Sequence, residues 1–490
     1  MTEKKQKKAI VIGAGLAGLA TAIRLRAKGF AVQVFEKNKI PGGKIQRISG
    51  QGYHFDIGPS VITMPEYIRE LFKISGKNPD EYIQFQKLDP VFNYFFEDGR
   101  KLTALADPQK TAQNWAVELG EDINNINGFL NSVKEKHRLT EKVFLRSSLH
   151  KIKTYLNWEA LRGTLLFHRI KAFKSMSKSN AQHFNSPYLQ KIFNSFASYN
   201  GSNPFETPAT FNVIAHYEMN LGTYYPVGGI EQIANALYKL ANEVGVQFEF
   251  NADIRQIITA NKKACGIEAD EQEYRSDIVV SCIDVNSTYE KLLDEKYKVP
   301  LYLKREKSNA PLLALWGMKA EFPELGVHNM FLPKDQKAEY DAIFKRLEMP
   351  EEPGMYMHIG SKLRKEDAPA ACENWFVYLN APRDAGQDWE AIIKESRTRL
   401  IQRLSKQLNR DIEPLIDFEK YLSPVDFAKR DGNVFGSIYG NSSNGVFSAF
   451  LRHPNFAPKV KDLYFAGGTV HPGSGVPLSL LSAEIVEGLV

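Results

Sequence analysis

Hydrophobic positions along the chain follow two periods, and the places where the period changes mark off its elements. Ala9 to Ile12 form an apolar run short enough for a buried strand, and Leu16, Leu19, Ala20 and Ile23 then recur at helical spacing until Gly29. The stretch "AVQVFE" (31–36) alternates as a second strand. Further on, Ile230, Ile233, Leu237, Leu240 and Ala241 share one helical face before another strand, and "SDIVVSCID" (276–284) reads as a buried strand. The runs "LLALWGM" (312–318) and "WFVYLNAP" (375–382) predict strands alternating with helices such as 388–407. Near the end a strand from Leu463 to Ala466 leads through glycine turns into an apolar helix starting near Gly475. Alternating strands and helices predict a mixed α/β fold.

The first turn carries chemistry. Gly13, Gly15 and Gly18 follow a strand and open a helix, and Glu36 ends the next strand, 18 residues beyond Gly18. This is the dinucleotide-binding βαβ pattern. One glycine makes the tight turn, the second lets backbone approach a pyrophosphate, the third lets helix and strand pack closely, and the acid meets the ribose hydroxyls. Leu16 and Ala17 then lie in the first helical turn, whose free N–H groups attract an anion. The basic start "MTEKKQKK" followed by an apolar run imitates a signal peptide, but the strand, turn, helix, strand and acid that follow identify a phosphate cradle. No window approaches the ~20 uninterrupted apolar residues of a membrane span.

The sequence "EKNKIPGGKIQRISGQGYHFDIGPS" (36–60) continues the acid with Lys37, a Gly42-Gly43 pair, Lys44, and then Gly58, Pro59 and Ser60. It resembles the flavoproteins of the amine oxidase and carotenoid desaturase superfamily. "FAGGTVHPGSGVP" (465–477), "YYPVGG" (224–229), "LSPVDFAKRDGNVFGSIYG" (422–440) and "FLRHPN" (450–455) extend the resemblance to the bacterial carotenoid desaturases of the phytoene dehydrogenase type. The resemblance implies a Rossmann-like FAD-binding domain with an inserted substrate domain. The FAD domain would comprise residues 1–80, 225–300 and 455–490, and the substrate part 81–224 and 301–454. FAD would be held by Gly13, Gly15, Leu16, Ala17, Gly18, Glu36, Lys37, Gly43, Lys44, Gly58, Pro59 and Ser60. The chain's later part would add Ile254 beside the adenine, and Gly468, Thr469, Gly475 and Val476 beside the ring. Phytoene desaturases continue the signature as Gly-Ile-Pro-Gly; here it is Gly475-Val476-Pro477-Leu478, closer to the branch acting on hydroxylated or conjugated carotenoids at carbons 3 and 4.

Such an enzyme would dehydrogenate a carbon–carbon single bond of a carotenoid substrate. No catalytic acid or base stands out: Asp56 also fits a turn, His471 a loop beside the flavin, and Trp316 a core. The electron acceptor stays open. Alternatives are a phytoene desaturase, an amine or porphyrinogen oxidase of the same fold, and a flavin-free lipid-binding escort protein. Intact Gly13, Gly15, Gly18 and Glu36 speak against the last.

Charge refines the partners. The chain carries +6 overall, yet residues 131–180 hold twelve Lys/Arg against three Glu, so the remainder is acidic on balance. Within 139–173, Phe144, Leu145, Tyr155, Leu156, Trp158, Leu165, Leu166 and Phe167 interleave with Arg146, Lys151, Lys153, Arg162 and Arg169. That mixture suits either helical, peripheral contact with a membrane surface or a solvated helical lobe. No nucleic-acid-reading module accompanies it. Cys265, Cys282 and Cys372 form no CxxC pair and no metal site, which predicts inert thiols, no metal and a reducing, cytoplasmic setting; the bilayer-dissolved substrate that the resemblance implies adds peripheral membrane association.

Overall fold

A computed structural model describes residues 6–151, 154, 173–445, 448 and 452–490. Tyr155, Leu156, Trp158, Arg162, Leu165, Leu166, Phe167, Arg169 and Lys153 lie outside the described residues.

One sheet gathers short apolar strands from distant parts of the chain: β1 (Lys8–Ile12), β2 (Ala31–Glu36), β3 (Gln247–Phe250), β4 (Ile278–Ser281) and β5 (Leu463–Phe465). They lie in the order β5-β4-β1-β2-β3 and every pair is parallel. A parallel sheet needs cover on both faces, which explains why β1 and β4 are almost wholly buried runs of Ile, Val and Ala. One face receives three helices, α1 (Leu16–Ala27), α2 (Glu231–Glu243) and α3 (Val476–Leu489), around a core that includes Val11, Val34, Leu19, Ile23, Leu237, Leu240, Leu480 and Val486. Ile230, Ile233, Leu237, Leu240 and Ala241 are all buried there, as their spacing predicts. The other face, with Ile10, Ile12, Phe35 and Val279, packs on Ile257 and Ile267 of a three-stranded antiparallel sheet. A buried Arg24 on α1 clamps the helices together, reaching Glu70 and Glu487 at 2.8 Å each and Glu484 at 3.4 Å.

The second large sheet differs from the expected alternation of strand and helix. Residues Ala310–Met318 and Glu373–Ala381 pair directly and antiparallel, and five further strands complete a seven-stranded sheet. The helix expected at 388–407 is found at Trp389–Gln407, covering one face of that sheet. Period-2 geometry divides the strands cleanly. Leu312, Ala314, Trp316, Trp375 and Val377 meet the helix, while Leu313, Phe376, Tyr378 and Asn380 face the other way and line a cavity. Trp316, considered above as a candidate for the site, therefore sits in the helix-side core, its indole N–H donating to the Tyr421 hydroxyl at 3.0 Å.

Among the described residues no helix is long and apolar enough to cross a membrane, and no group of His, Cys, Asp and Glu is placed to hold a metal ion.

Candidate active site

The two sheets share a cavity of about 800 Å³ that reaches from the loop after β1 to the inner face of the seven-stranded sheet. Its floor is made of glycine turns. The loop after β1 turns at Gly13 (φ +96°), and a Cβ at position 18 would stand 1.9 Å from the Gly13 carbonyl oxygen, so helix and loop touch through bare backbone. Gly15 sits against Gly43: a Cβ on Gly43 would approach the Gly15 Cα to 3.0 Å, and the Gly42 N–H donates to the Ala14 carbonyl at 3.0 Å. The two glycine turns thus form one cradle. No side chain caps α1 at Gly15, or α3 at Gly475, so both helices begin at the cavity wall with N–H groups available to a ligand.

Glu36 lies buried at the end of β2. Its carboxylate accepts the Ala14 N–H at 2.7 Å through one oxygen, and the Asn38 N–H at 2.9 Å and Asn38 side-chain amide at 2.7 Å through the other. It therefore shapes the loop as well as lining the cavity. Lys44 is half-buried, its Nζ donating to the Ile438 carbonyl at 2.8 Å, and desolvation pulls it below the usual lysine range. Ser60 joins the Tyr356 hydroxyl at 2.8 Å, which in turn meets Nδ1 of a buried His328 at 2.8 Å.

Of the residues singled out in the sequence, Gly13, Gly15, Leu16, Ala17, Glu36, Lys37, Gly43, Lys44, Gly58, Pro59, Ser60, Ile254, Gly468, Thr469, Gly475 and Val476 line this one cavity. Gly18 does not; its place is against Gly13, the packing position of the motif. Asp56 stands away from the cavity, where its carboxylate accepts the Ile230 N–H at 2.9 Å and holds the turn before α2. His471 does line the cavity: its Nε2–H donates to the Ser147 carbonyl at 3.0 Å, and burial pushes its pKa down to about 3, leaving a neutral ring. Cys282 also lines the wall, and burial pushes its thiol up to about 12, which keeps it inert.

Two acids escaped the sequence reading. Glu218 accepts the Tyr94 hydroxyl at 3.0 Å and, more closely, the Tyr199 hydroxyl, and burial raises its pKa to about 7. Glu339 accepts the Gly354 N–H at 2.7 Å and the Asn380 amide at 3.1 Å, and burial likewise raises it to about 7. Both line the cavity. Neither belongs to a motif; their character comes from burial, which the sequence around them does not signal.

The residues present fit a dinucleotide. Glycine backbone lines the cradle where any side chain would intrude, two uncapped helix starts offer N–H groups, and several buried polar atoms on the cavity wall have no hydrogen-bond partner: Asp284 Oδ2, Arg430 Nη1, Asn433 Nδ2 and Arg452 Nη2. Burying such atoms unpaired costs about 1–3 kcal/mol each, so a polar ligand belongs beside them.

The profile of the flavin containing amine oxidoreductase family matches residues 16–486. The chain belongs to this family. It is an FAD-dependent oxidoreductase. Among relatives, a 1-hydroxycarotenoid 3,4-desaturase of Flavobacterium sp. (strain P99-3) is 41% identical, the match covering 99% of each chain. A 4,4'-diapolycopene oxygenase of Methylomonas sp is 32% identical across 99% of this chain and 98% of its own. Among solved structures, an oxidoreductase from Methanosarcina mazei superposes with a TM-score of 0.61 at 16% identity, covering 98% of this chain and 99% of its own. Cyclohexylamine oxidase from Brevibacterium oxydans gives 0.59 at 14%, covering 99% and 98%. At such identities the structures establish the fold of this flavoprotein and nothing more.

Replacing Glu36 with Ala should strip FAD from this enzyme, because it removes the anchor of the Ala14 N–H and the carboxylate that the βαβ pattern assigns to the ribose. The ratio of flavin to protein absorbance after gel filtration reads the loss; a variant with full flavin content would refute the assignment.

Proposed function

We propose that the protein is a carotenoid desaturase that dehydrogenates a carbon–carbon single bond, at the 3,4 position of an acyclic or monocyclic hydroxylated carotenoid. The observation that carries this reading is the full-length similarity to a 1-hydroxycarotenoid 3,4-desaturase. The cavity supports it, because past the glycine cradle its wall turns apolar, with Phe211, Val213, Leu313, Met330, Leu332 and Phe376.

Bound flavin would supply the acceptor for the hydride that leaves one carbon of the bond, and the proton lost from the neighbouring carbon would pass out to solvent. The chain's own residues do the rest. The apolar wall aligns a long hydrocarbon and excludes water, so the reacting carbon is held rather than solvated. The inner face of the seven-stranded sheet sets the width of the channel through Leu313 and Phe376. Glu218 and Glu339, both raised by burial to about 7, are each only partly ionised at neutral pH.

The site residues named above would divide accordingly: Gly13 to Ala17, Glu36, Lys37, Gly43 and Lys44 toward the dinucleotide, Gly58 to Ser60, Gly468, Thr469, Gly475 and Val476 toward the ring, and Ile254 toward the adenine.

A substrate that dissolves in bilayers also favours work at a lipid surface, and the basic, aromatic-rich segment 131–180 is where contact would occur. Arg146 is no part of it. Its guanidinium is bound to Glu484 at 2.9 Å and stacks on Tyr67, while Phe144 and Leu145 line the cavity.

The test is an absorbance spectrum before and after anaerobic addition of a hydroxylated acyclic carotenoid in anionic liposomes. Flavin bands should bleach while the carotenoid bands move to longer wavelength. Bleaching by phytoene or by an amine alone would move the assignment to those substrates. In the same liposomes, reversing the charge of Arg162, Arg169 and Lys171 should reduce sedimentation of the protein; unchanged sedimentation would favour the solvated lobe.

A further inference from the structure

Arg452 presents a physical problem that the fold does not solve by itself. Its side chain lies in the cavity wall, 5% exposed, between the glycine turns that precede α3. One guanidinium nitrogen donates to the Gly468 carbonyl at 3.0 Å and to the Tyr439 carbonyl at 3.4 Å; the other, Nη2, has no partner among the described residues. Nor does any carboxylate among the described residues pair with it. Burial depresses its pKa to about 10, with no neighbouring charge acting in the opposite direction. Two other cations on this wall are compensated: Arg430 makes a two-point pair with Asp431 at 2.8 Å, and Lys44 feels both Asp431 and Asp284; Lys37 and Lys291 are exposed to water. A guanidinium cannot shed its charge, and an unpaired one in a desolvated wall is among the costliest arrangements a protein can keep. It persists where an anion is to arrive.

We propose that Arg452 is the built-in anion site of the cavity, its free guanidinium edge neutralising negative charge on the bound cofactor. Two parts of FAD offer that charge. One is the diphosphate, which is anionic at all times. The other is the isoalloxazine ring, since a hydride brings it two electrons and one proton and leaves one negative charge. In either case the contact is a charge-assisted hydrogen bond within a dry wall, the strong kind. This inference rests on the FAD site and not on the identity of the substrate, so it stands or falls independently of the desaturase reading.

The test compares the holoenzyme with R452M and R452K in two measurements: FAD release after dilution, and the reduction potential of the bound flavin by equilibration with a reference dye. A contact to the diphosphate predicts release from R452M faster by roughly tenfold or more, with the potential unchanged. A contact to the ring predicts that R452M binds oxidised flavin as before but loses roughly tenfold in its relative affinity for the reduced form, a fall of about 30 mV for a two-electron couple. R452K keeps the charge and should stay close to wild type in whichever quantity moves. Should R452M fail to fold, R452Q, which retains a donor for the Gly468 carbonyl but no charge, takes its place. Release and potential both equal to wild type in the uncharged variant would overturn the proposal, as would an R452K as impaired as R452M, because a purely structural arginine moves neither potential nor charge-selective release.

Discussion

Gly18→Val should yield a protein that binds no flavin and is destabilised by about 3 kcal/mol, the upper range for forcing atoms into packed space. The reason is local. The added Cβ would fall 1.9 Å from the Gly13 carbonyl oxygen and 3.0 Å from its carbon, and both are backbone, so only displacement of the loop relieves the clash. That loop is the one whose Ala14 N–H is fixed by Glu36 and whose Gly15 nestles against Gly43. Moving it opens the cradle at every point where a pyrophosphate would be held. Gly488→Ala is the control, since a Cβ there has nothing within 4 Å and lies inside α3; it should leave flavin content intact and stability unchanged or higher by up to about 1 kcal/mol. Thermal melts and flavin absorbance of the two variants measure both effects, and a yellow Gly18→Val protein would exclude this loop as the dinucleotide site.

The second large effect concerns pH. Glu218 and Glu339 each have an ordinary value near 4.5 in the unfolded chain and about 7 in the folded one, raised by burial. A raised folded pKa means that the stabilisation is complete below about pH 4.5 and drains away as pH climbs through about 7, because the unfolded chain releases protons that the folded one retains. Each group contributes about 3 kcal/mol across that window. Glu218→Gln, neutral at every pH, removes one proton from the linkage. It should match wild type near pH 4 and exceed it by about 3 kcal/mol at pH 8, as judged by urea unfolding at intervals between. Parallel curves for the two proteins would show that Glu218 titrates normally and that its tyrosine partners stabilise the carboxylate instead.

What the sequence disclosed and what it withheld divide along physical lines. The βαβ unit was legible because each of its requirements is local: a turn at Gly13, a contact at Gly18 and an acid at Glu36 all lie within 30 residues. The turns at Gly468 and Gly475 were legible for the same reason. The seven-stranded sheet was misjudged as alternating strand and helix, because strand pairing between 310–318 and 373–381 spans an interval that carries no periodic signal of its own. Trp316 could not be assigned to a face until its neighbours fixed the register. Glu218 sits in "HYEMN" without any motif; what singles it out is the pair of tyrosines at 94 and 199, and no pattern in the sequence links the three. Arg452 lay in a recognisable block, "FLRHPN", but the missing counter-charge that gives it meaning is a property of the fold.

The parallel sheet sets a schedule for assembly. Its centre, β1, comes from the first residues described and its edge, β5, from near the last, and the cavity is lined both by Gly13, Gly15, Leu16 and Ala17 and by Gly468, Thr469, Gly475 and Val476. Contacts across so great a separation form only after the loops between them have closed. On the ribosome the N-terminal βαβ unit therefore emerges long before α3 can cover it, and until then the apolar flanks of α1 that α3 buries stay open. Flavin held in a cavity built from both segments would then stabilise the closed arrangement by mass action.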